Sequence, residues 1–384
     1  MKIAIVHSFY SGENSSGENE VVLSQASILR SCGHDVRLIS VRTDDLVTKR
    51  FYKIRTAFKV ITGFGLNPLQ EIREFSPDIT FIHNLFPNFA SNWVKSWPGK
   101  VIRVIHNQRL FCANGVFFRD GQLCFDCINT SPFEGFKNAC YRNSKLATAP
   151  LYLAQLRRQL DKRELNRPDR YISLSNDMKD LLVSAGLKNE KIIVLQNFIE
   201  DFTNSNSTGA SKFQNTWVAA GRITREKGFL NLIENWPPGF KLEIIGDGSD
   251  LDYLRQKTLN KKNIDLVGRL DRKELVKRLP SYIGAVYPSL LIEVCPLVLM
   301  EFMCAGLPII GLNIAREPIV GGNEKPAGII LNKFDPESLK IAISKIELHR
   351  SDFSNNSRFR YEMKYTPAVW LKNINEIIKQ VVTD

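Results

Sequence analysis

The chain has 384 residues, enough for two domains of ordinary size. Its 43% hydrophobic and 24% charged content fits a soluble globular protein, and the lack of any run of about eighteen apolar residues excludes a transmembrane helix. The start, MKIAIVHSFY, enters a strand pattern without the n-region or cleavage site of a signal peptide, so a cytoplasmic protein is expected. Seven cysteines in that compartment argue against a disulfide framework. The formal net charge is +12; residues 1–200 hold 27 Lys+Arg against 19 Asp+Glu and the remainder 25 against 21, so the two parts carry +8 and +4. An anionic partner or surface would therefore meet the N-terminal half, with plain solubility as the simpler account.

In chain order, Lys2–Val6 reads as a buried strand, Ser8–Gly17 as a polar glycine-containing loop, and Glu18–Cys32 has helical spacing. Val36–Ile39 is the next strand, completing a βαβ unit whose loop lies where open α/β sheets place ligands. Arg42–Gly63 interleaves Lys49, Arg50, Lys53, Arg55 and Lys59 with Phe51, Ile54 and Phe58, spaced three and four apart. A helix there has an apolar stripe bordered by cations. It is either a solvated helix packed on its own domain or one suited to an anionic membrane surface.

Strands at Asp78–Ile82 and Lys100–Ile105 each lead into a His-Asn pair, His83-Asn84 and His106-Asn107. A His at the carboxyl end of a parallel strand faces the ligand crevice; His83 is read as a satisfied structural residue. The long loop that follows carries Cys112, Cys124, Cys127 and Cys140 in the spacing C-x11-C-x2-C-x12-C. The C-x2-C pair suits a zinc knuckle, and four thiolates would make a structural zinc site with no open position; inert thiols are the alternative. Arg109 and Arg119 in this loop are candidate contacts for an anionic acceptor, or plain surface charge. A helix over Leu146–Leu165, a strand at Tyr171–Ser175, a helix over Asn176–Ala185 and a strand at Ile192–Val194 complete this half. Residues 201–215 (DFTNSNSTGASKFQN) are small and polar and read as an interdomain linker.

The second half opens with a strand, Trp217–Ala220, then Gly221-Arg222-Ile223-Thr224-Arg225-Glu226-Lys227-Gly228. A Gly at a strand end followed by Arg and Lys five apart is a phosphate-binding arrangement, although such stretches also form surface turns. Lys241–Gly246 and Ile264–Gly268 are further strands. The stretch Ala285–Gly311 then gives a strand, a turn, and a helix over Leu297–Ala305 with Pro296 at its start and Gly306 and Pro308 at its stop. Glu301 sits among Leu297, Val298, Leu299, Met300, Phe302 and Met303, and an ionised carboxylate there needs a partner. That partner is either a basic side chain or a hydroxyl-rich ligand such as a ribose. Glu293, eight residues earlier, stands beside the free N–H groups of the helix start, which suit a diphosphate. The chain closes with a strand at Gly328–Ile330, a helix over Pro336–Leu348 and an apolar-striped helix over Pro367–Val382.

Glu293 and Glu301 reproduce the E-x7-E motif of retaining glycosyltransferases, and SLLIEVCPLVLMEFMCAGLPII resembles family 4 of that class. SSGENEVV followed by GHDV resembles the opening of the same family, and the resemblance extends over almost the full chain. It implies the GT-B fold: two doubly wound Rossmann-like α/β domains facing a cleft, residues 1–200 on the acceptor side and 216–366 binding the nucleotide sugar. The helix over 367–382 would pack back on the first domain. By resemblance Arg222, Lys227 and the helix start at Cys295-Pro296-Leu297 hold the donor diphosphate, Glu301 the ribose, and Glu293 the donor sugar. His106 contacts the transferring sugar, and Gly17 lies in the loop near donor and acceptor. The implied reaction moves a sugar from a nucleotide diphosphate sugar to a glycan or lipid-linked acceptor in polysaccharide biosynthesis. No cofactor is needed for catalysis and no nucleic acid is expected as partner. The expected location is cytoplasmic, with peripheral contact at the inner membrane face. A silent nucleotide-binding scaffold, a phosphorylase carrying pyridoxal phosphate and a nucleotide-sugar epimerase are the alternatives on the same architecture.

Overall fold

Short β-branched runs alternating with helices give two parallel sheets, in a computed structural model that describes residues 1–10, 17–203, 215–321 and 325–383. Residues 11–16 of the expected first loop and 204–214 of the expected linker lie outside the described residues. Contacts divide the chain into two units. The N-terminal unit comprises 1–119, 124–197 and 370–384, and the C-terminal unit comprises 120–123 and 198–369.

The N-terminal sheet has six strands: β1 (Lys2–Phe9), β2 (Asp35–Arg42), β3 (Ile79–Asn84), β4 (Lys100–Ile105), β5 (Arg170–Ser173) and β6 (Ile192–Val194). Their order is β2-β1-β3-β4-β5-β6, with Ile3 in register with Val36 on one side and Ile79 on the other. Ile3, Ala4, Ile5 and Val6 are all fully buried, as expected of a parallel strand covered on both faces. The strand order reverses between β1 and β3, so the carboxyl ends of those strands border the ligand crevice.

The C-terminal sheet is built from β7 (Thr216–Ala220), β8 (Lys241–Ile245), β9 (Ile264–Gly268), β10 (Gly284–Tyr287), β11 (Ile309–Leu312) and β12 (Gly328–Leu331). Its order is β9-β8-β7-β10-β11-β12, and its reversal falls between β7 and β10. The helix Leu297–Cys304 follows β10, with Pro296 as its N-cap residue and Leu299 to Cys304 buried. It packs on the helix Arg350–Lys364, which the apolar spacing did not reveal. The reason is that two of that helix's buried positions are polar. Ser357 donates to the Leu307 carbonyl at 2.7 Å, and Arg360 donates to the carbonyls of Pro318 and Val320. The expected helix over Leu146–Leu165 is two pieces, Lys145–Leu160 and Arg163–Asn166, because the Asp161 carboxylate accepts from the Arg163 backbone N–H at 3.1 Å. Asp161 is itself extended and closes the first piece.

Backbone approach fixes the loops at the carboxyl ends of the C-terminal strands. Gly221 N donates to the Ile245 carbonyl at 3.0 Å, Ile223 N to Asp247 at 2.8 Å, and Gly246 N to Gly268 at 2.9 Å. A Cβ on Gly246 would lie 1.8 Å from the Gly221 carbonyl oxygen, and one on Gly228 (φ +71°) 2.1 Å from the Pro288 carbonyl oxygen. Gly246→Ala, with φ +154° as well as the overlap, is expected to destabilise the C-terminal unit by at least about 2 kcal/mol. Gly239→Ala, where a Cβ meets nothing within 4 Å, should stay within about 0.5 kcal/mol. Urea midpoints of the two variants test this, and equal midpoints would contradict the packing.

Candidate functional site

The loop from β7 to the helix Phe229–Asn235 carries Arg222 and Lys227, and the one-turn Arg225–Lys227 helix ends on Gly228. Because Gly228 lies against Pro288 and Leu290 N donates to the Glu226 carbonyl at 3.0 Å, this loop lies beside the segment that leaves β10. Lys227 Nζ is thereby ion-paired to Glu293, and Ser289 Oγ donates to the same carboxylate oxygen at 2.7 Å. Burial pushes the Glu293 carboxyl up, but the charge and hydrogen bond of Lys227, with Ser289, outweigh it and hold the pKa below its ordinary value. Glu293 is therefore an anion at neutral pH and accepts hydrogen bonds only. Tyr287 is buried alongside, its hydroxyl pushed well up by burial and then by the Glu293 charge.

Glu301 lies in the second turn of the Leu297–Cys304 helix at 5% exposure, with Arg272 Nε 3.0 Å from its carboxylate. Arg272 is the first residue of the helix Arg272–Arg278, where Asp271 caps the start by accepting from Glu274 N at 2.8 Å. Burial raises the Glu301 pKa and Arg272 only partly offsets this. Of the two partners the sequence left open, Arg272 supplies the basic side chain. Arg272 itself is 41% exposed. Arg222 is exposed, with no hydrogen bond or ion pair to its side chain among the described residues. Cys295, Pro296 and Leu297 are half-buried ahead of the helix.

In the N-terminal unit, His106 Nε2 lies 2.7 Å from His83 Nδ1, so one imidazole donates and the other accepts. His7, fully buried on β1, places Nε2 3.0 Å from Asn19 Oδ1, and its ring centroid is 6.4 Å from that of His83. Burial lowers all three, with Asn19 opposing it at His7 and the neighbouring histidines adding to it at His83 and His106. His7 falls to about 4, His106 to about 3, and His83 well below its ordinary value. All three are neutral at pH 7. His83, read from sequence as a satisfied residue, is part of this cluster and leaves Nε2 without a hydrogen bond. Gly17 is the exposed first residue of the helix Gly17–Ser31. The next residue, Glu18, approaches His7 at 4.0 Å and accepts from Asn107 Nδ2 at 3.3 Å. Burial lifts Glu18 to about 7 against the opposing pull of Asn107 and Arg109.

His7, Glu18, Ser289 and Arg272 were missed from sequence. The strand-end rule that singled out His83 and His106 would also have reached His7, which precedes the end of β1. Nothing local marks Arg272, which meets Glu301 only through the fold. Arg119 is engaged by Asp126 at 2.7 Å, whereas Arg109 stacks over Phe86 at 4.6 Å from the ring centroid.

Cys112, Cys124, Cys127 and Cys140, expected from sequence as a structural zinc set, are neighbours in the fold: the charges of the other three all act on Cys127. Among the described residues no group of three or more His, Cys, Asp or Glu is placed to hold a metal ion. Cys112 Sγ lies 2.9 Å from Asn114 Oδ1, and burial raises the Cys124, Cys127 and Cys140 thiols, Cys127 to about 12.

Two family models match consecutive stretches: "Glycosyltransferase Family 4" over residues 15–201 and "Glycosyl transferases group 1" over residues 201–362. The chain belongs to the GT-B glycosyltransferases. This one is 27% identical over 228 residues to the amylovoran biosynthesis glycosyltransferase AmsD of Erwinia amylovora, a match over 55% of this chain and 62% of that protein's length. The fold is similar to that of Anabaena HepE solved with UDP, at 13% identity and TM-score 0.64 over 99% of this chain and 100% of that one. It is likewise similar to sucrose-phosphate synthase from Thermosynechococcus elongatus, at 12% identity and TM-score 0.66 over 100% and 99%.

Glu18 makes a pH test available. Its pKa is raised from 4.5 to about 7 on folding, so its ionisation works against the fold. Its contribution is most favourable below pH 4.5 and is lost as pH rises toward 7. Glu18→Gln of this glycosyltransferase should therefore be more stable relative to wild type at pH 8 than at pH 4.5, by up to roughly 3 kcal/mol. Urea melts at the two pH values measure the difference; no change between them would contradict the raised Glu18 pKa.

Proposed function

We propose that this chain is a retaining glycosyltransferase that moves a sugar from a nucleotide diphosphate sugar to the hydroxyl of a glycan or lipid-linked acceptor. The observation that carries the reading is the Lys227–Glu293–Ser289 cluster at the sheet reversal, followed within one turn-and-helix segment by the buried Glu301. Breaking the glycosidic bond builds negative charge on the diphosphate, and Arg222, Lys227 and the N–H groups at Cys295-Pro296-Leu297 are suited to stabilise it. Glu301 takes the ribose hydroxyls in place of Arg272, and Glu293 takes hydroxyls of the donor sugar. His106 contacts the transferring sugar as a neutral imidazole.

Retention is assigned to a same-face displacement. The carbon–oxygen bond to the diphosphate breaks as the acceptor oxygen bonds to the same face of that carbon, and the acceptor proton passes to the departing phosphate oxygen. Isolation of a covalent glycosyl-enzyme adduct would overturn this route. Polysaccharide assembly is the proposed setting, supported by the likeness to the amylovoran enzyme.

A thermal-shift titration with UDP, GDP and ADP tests the donor site. One nucleotide should raise the melting temperature in step with the logarithm of its concentration. Glu301→Ala should weaken that nucleotide about tenfold, equivalent to about 1.4 kcal/mol. If none of the three shifts the protein, the donor assignment falls.

The proposed partner surface is an anionic membrane. The helix Tyr52–Thr62 turns its apolar stripe outward: Phe51, Ile54 and Phe58 are 54%, 68% and 60% exposed, while Lys59 is buried. Lys49, Arg50, Lys53 and Arg55 surround the stripe, and no acidic side chain interrupts Lys49–Gly63. Each cation near an anionic leaflet contributes about 1 kcal/mol, and apolar insertion adds to it. Wild type should co-sediment with vesicles containing anionic lipid, less with neutral ones, and Ile54→Glu/Phe58→Glu should reduce the bound fraction at least tenfold. Binding that ignores lipid charge and both substitutions would contradict the proposal.

A further inference from the structure

A pocket within the N-terminal unit is lined by Lys59, Arg103, Arg109 and Arg158 against the single carboxylate of Glu164. Glu164 is fully buried and already committed: it accepts from Ser91 Oγ at 2.9 Å and from Arg157 Nη2 at 3.3 Å. Arg103 Nη1 and Arg158 Nη1 stand 3.8 and 3.9 Å from its other oxygen, too far for hydrogen bonds. Lys59 Nζ has only a neutral acceptor, the Asn88 carbonyl at 2.6 Å, and no carboxylate pairs with it among the described residues. Arg103 Nη1, Arg109 Nε and Arg158 Nε are buried without a hydrogen-bond partner, and Arg103 as a whole is 7% exposed.

Burying a cation without an anion or a full set of acceptors is costly, and one shared carboxylate does not neutralise this group. A planar guanidinium with open N–H groups matches phosphate oxygens. The same helix that turns Ile54 and Phe58 outward turns Lys59 and Val60 into the pocket, whose wall continues with Phe89 and Leu151. A ligand with an anionic group beside an apolar chain fits that lining.

We propose that this pocket binds the phosphate or diphosphate group of the acceptor, the shared chemistry of a lipid-linked phosphate and a free phosphate ester. The word acceptor rests on the glycosyltransferase reading; the anion site itself does not.

Calorimetric titration of the full chain saturated with UDP tests it, using inorganic pyrophosphate, farnesyl diphosphate and farnesol as probes. Both diphosphates should bind and farnesol should not. Arg158→Gln and Lys59→Gln should each weaken diphosphate binding at least tenfold, whereas Lys257→Gln, in the other unit, should leave it unchanged. Glu164→Gln should lower the melting temperature yet give a larger diphosphate-induced rise, an outcome that a purely structural carboxylate would not produce. Tighter farnesyl diphosphate than pyrophosphate identifies a lipid-linked source, and equal affinity a free phosphate ester. Farnesol binding as tightly as its diphosphate, or diphosphate binding unchanged in both Arg158→Gln and Lys59→Gln, overturns the proposal. A failure of UDP to bind leaves the diphosphate titration readable in the Lys227→Ala background, so the two readings fail separately.

Discussion

The ion pair between Lys227 and Glu293 forms because two backbone segments touch where side chains would keep them apart. Gly228 stands in the left-handed region against the Pro288 carbonyl, and Gly246 against the Gly221 carbonyl. The first contact draws the loop after β7 onto the segment after β10, at the point where the strand order reverses, and the second holds the end of β7 against the end of β8. Everything proposed for the donor site follows from that approach. Without it Lys227 and Glu293 would be two surface charges on separate loops, worth little to each other in water.

Burial then sets the protonation of the site groups, and it acts differently on each. Glu293 is desolvated but compensated by Lys227 and Ser289, so it stays ionised. Glu301 is desolvated and only partly compensated by Arg272, so its pKa rises. That difference suits the two tasks proposed: a fixed anion beside the cation assigned to the diphosphate, and a carboxyl whose need for hydrogen bonds a ribose can meet. In the N-terminal unit the same desolvation keeps His7, His83 and His106 neutral. A neutral imidazole can donate or accept without adding charge.

The basic helix shows how pattern and placement differ. Its spacing announced an apolar stripe but not which way the stripe faces. The structure turns Phe51, Ile54 and Phe58 to solvent and buries Lys59, the reverse of ordinary helix packing. Lys59 lies inward because the pocket behind it is polar and accepts its ammonium on a backbone carbonyl.

The sequence by itself determined what depends on local chemistry. Alternating strand and helix runs marked two α/β units, Pro296 and Gly306 bounded the Leu297–Cys304 helix, and Glu301 stood out as a carboxylate in an apolar segment. Gly221 and Gly228 flanked the cationic loop because tight turns leave a local trace. The tertiary structure alone decided the pairings across long separations: Glu301 with Arg272, His83 with His106, and Glu164 among Arg103, Arg157 and Arg158. It also decided that Arg350–Lys364 is a helix whose buried face includes Ser357 and Arg360. Spacing along a chain fixes periodicity, but which charged groups meet is set by strand order and loop closure, and those have no local signature.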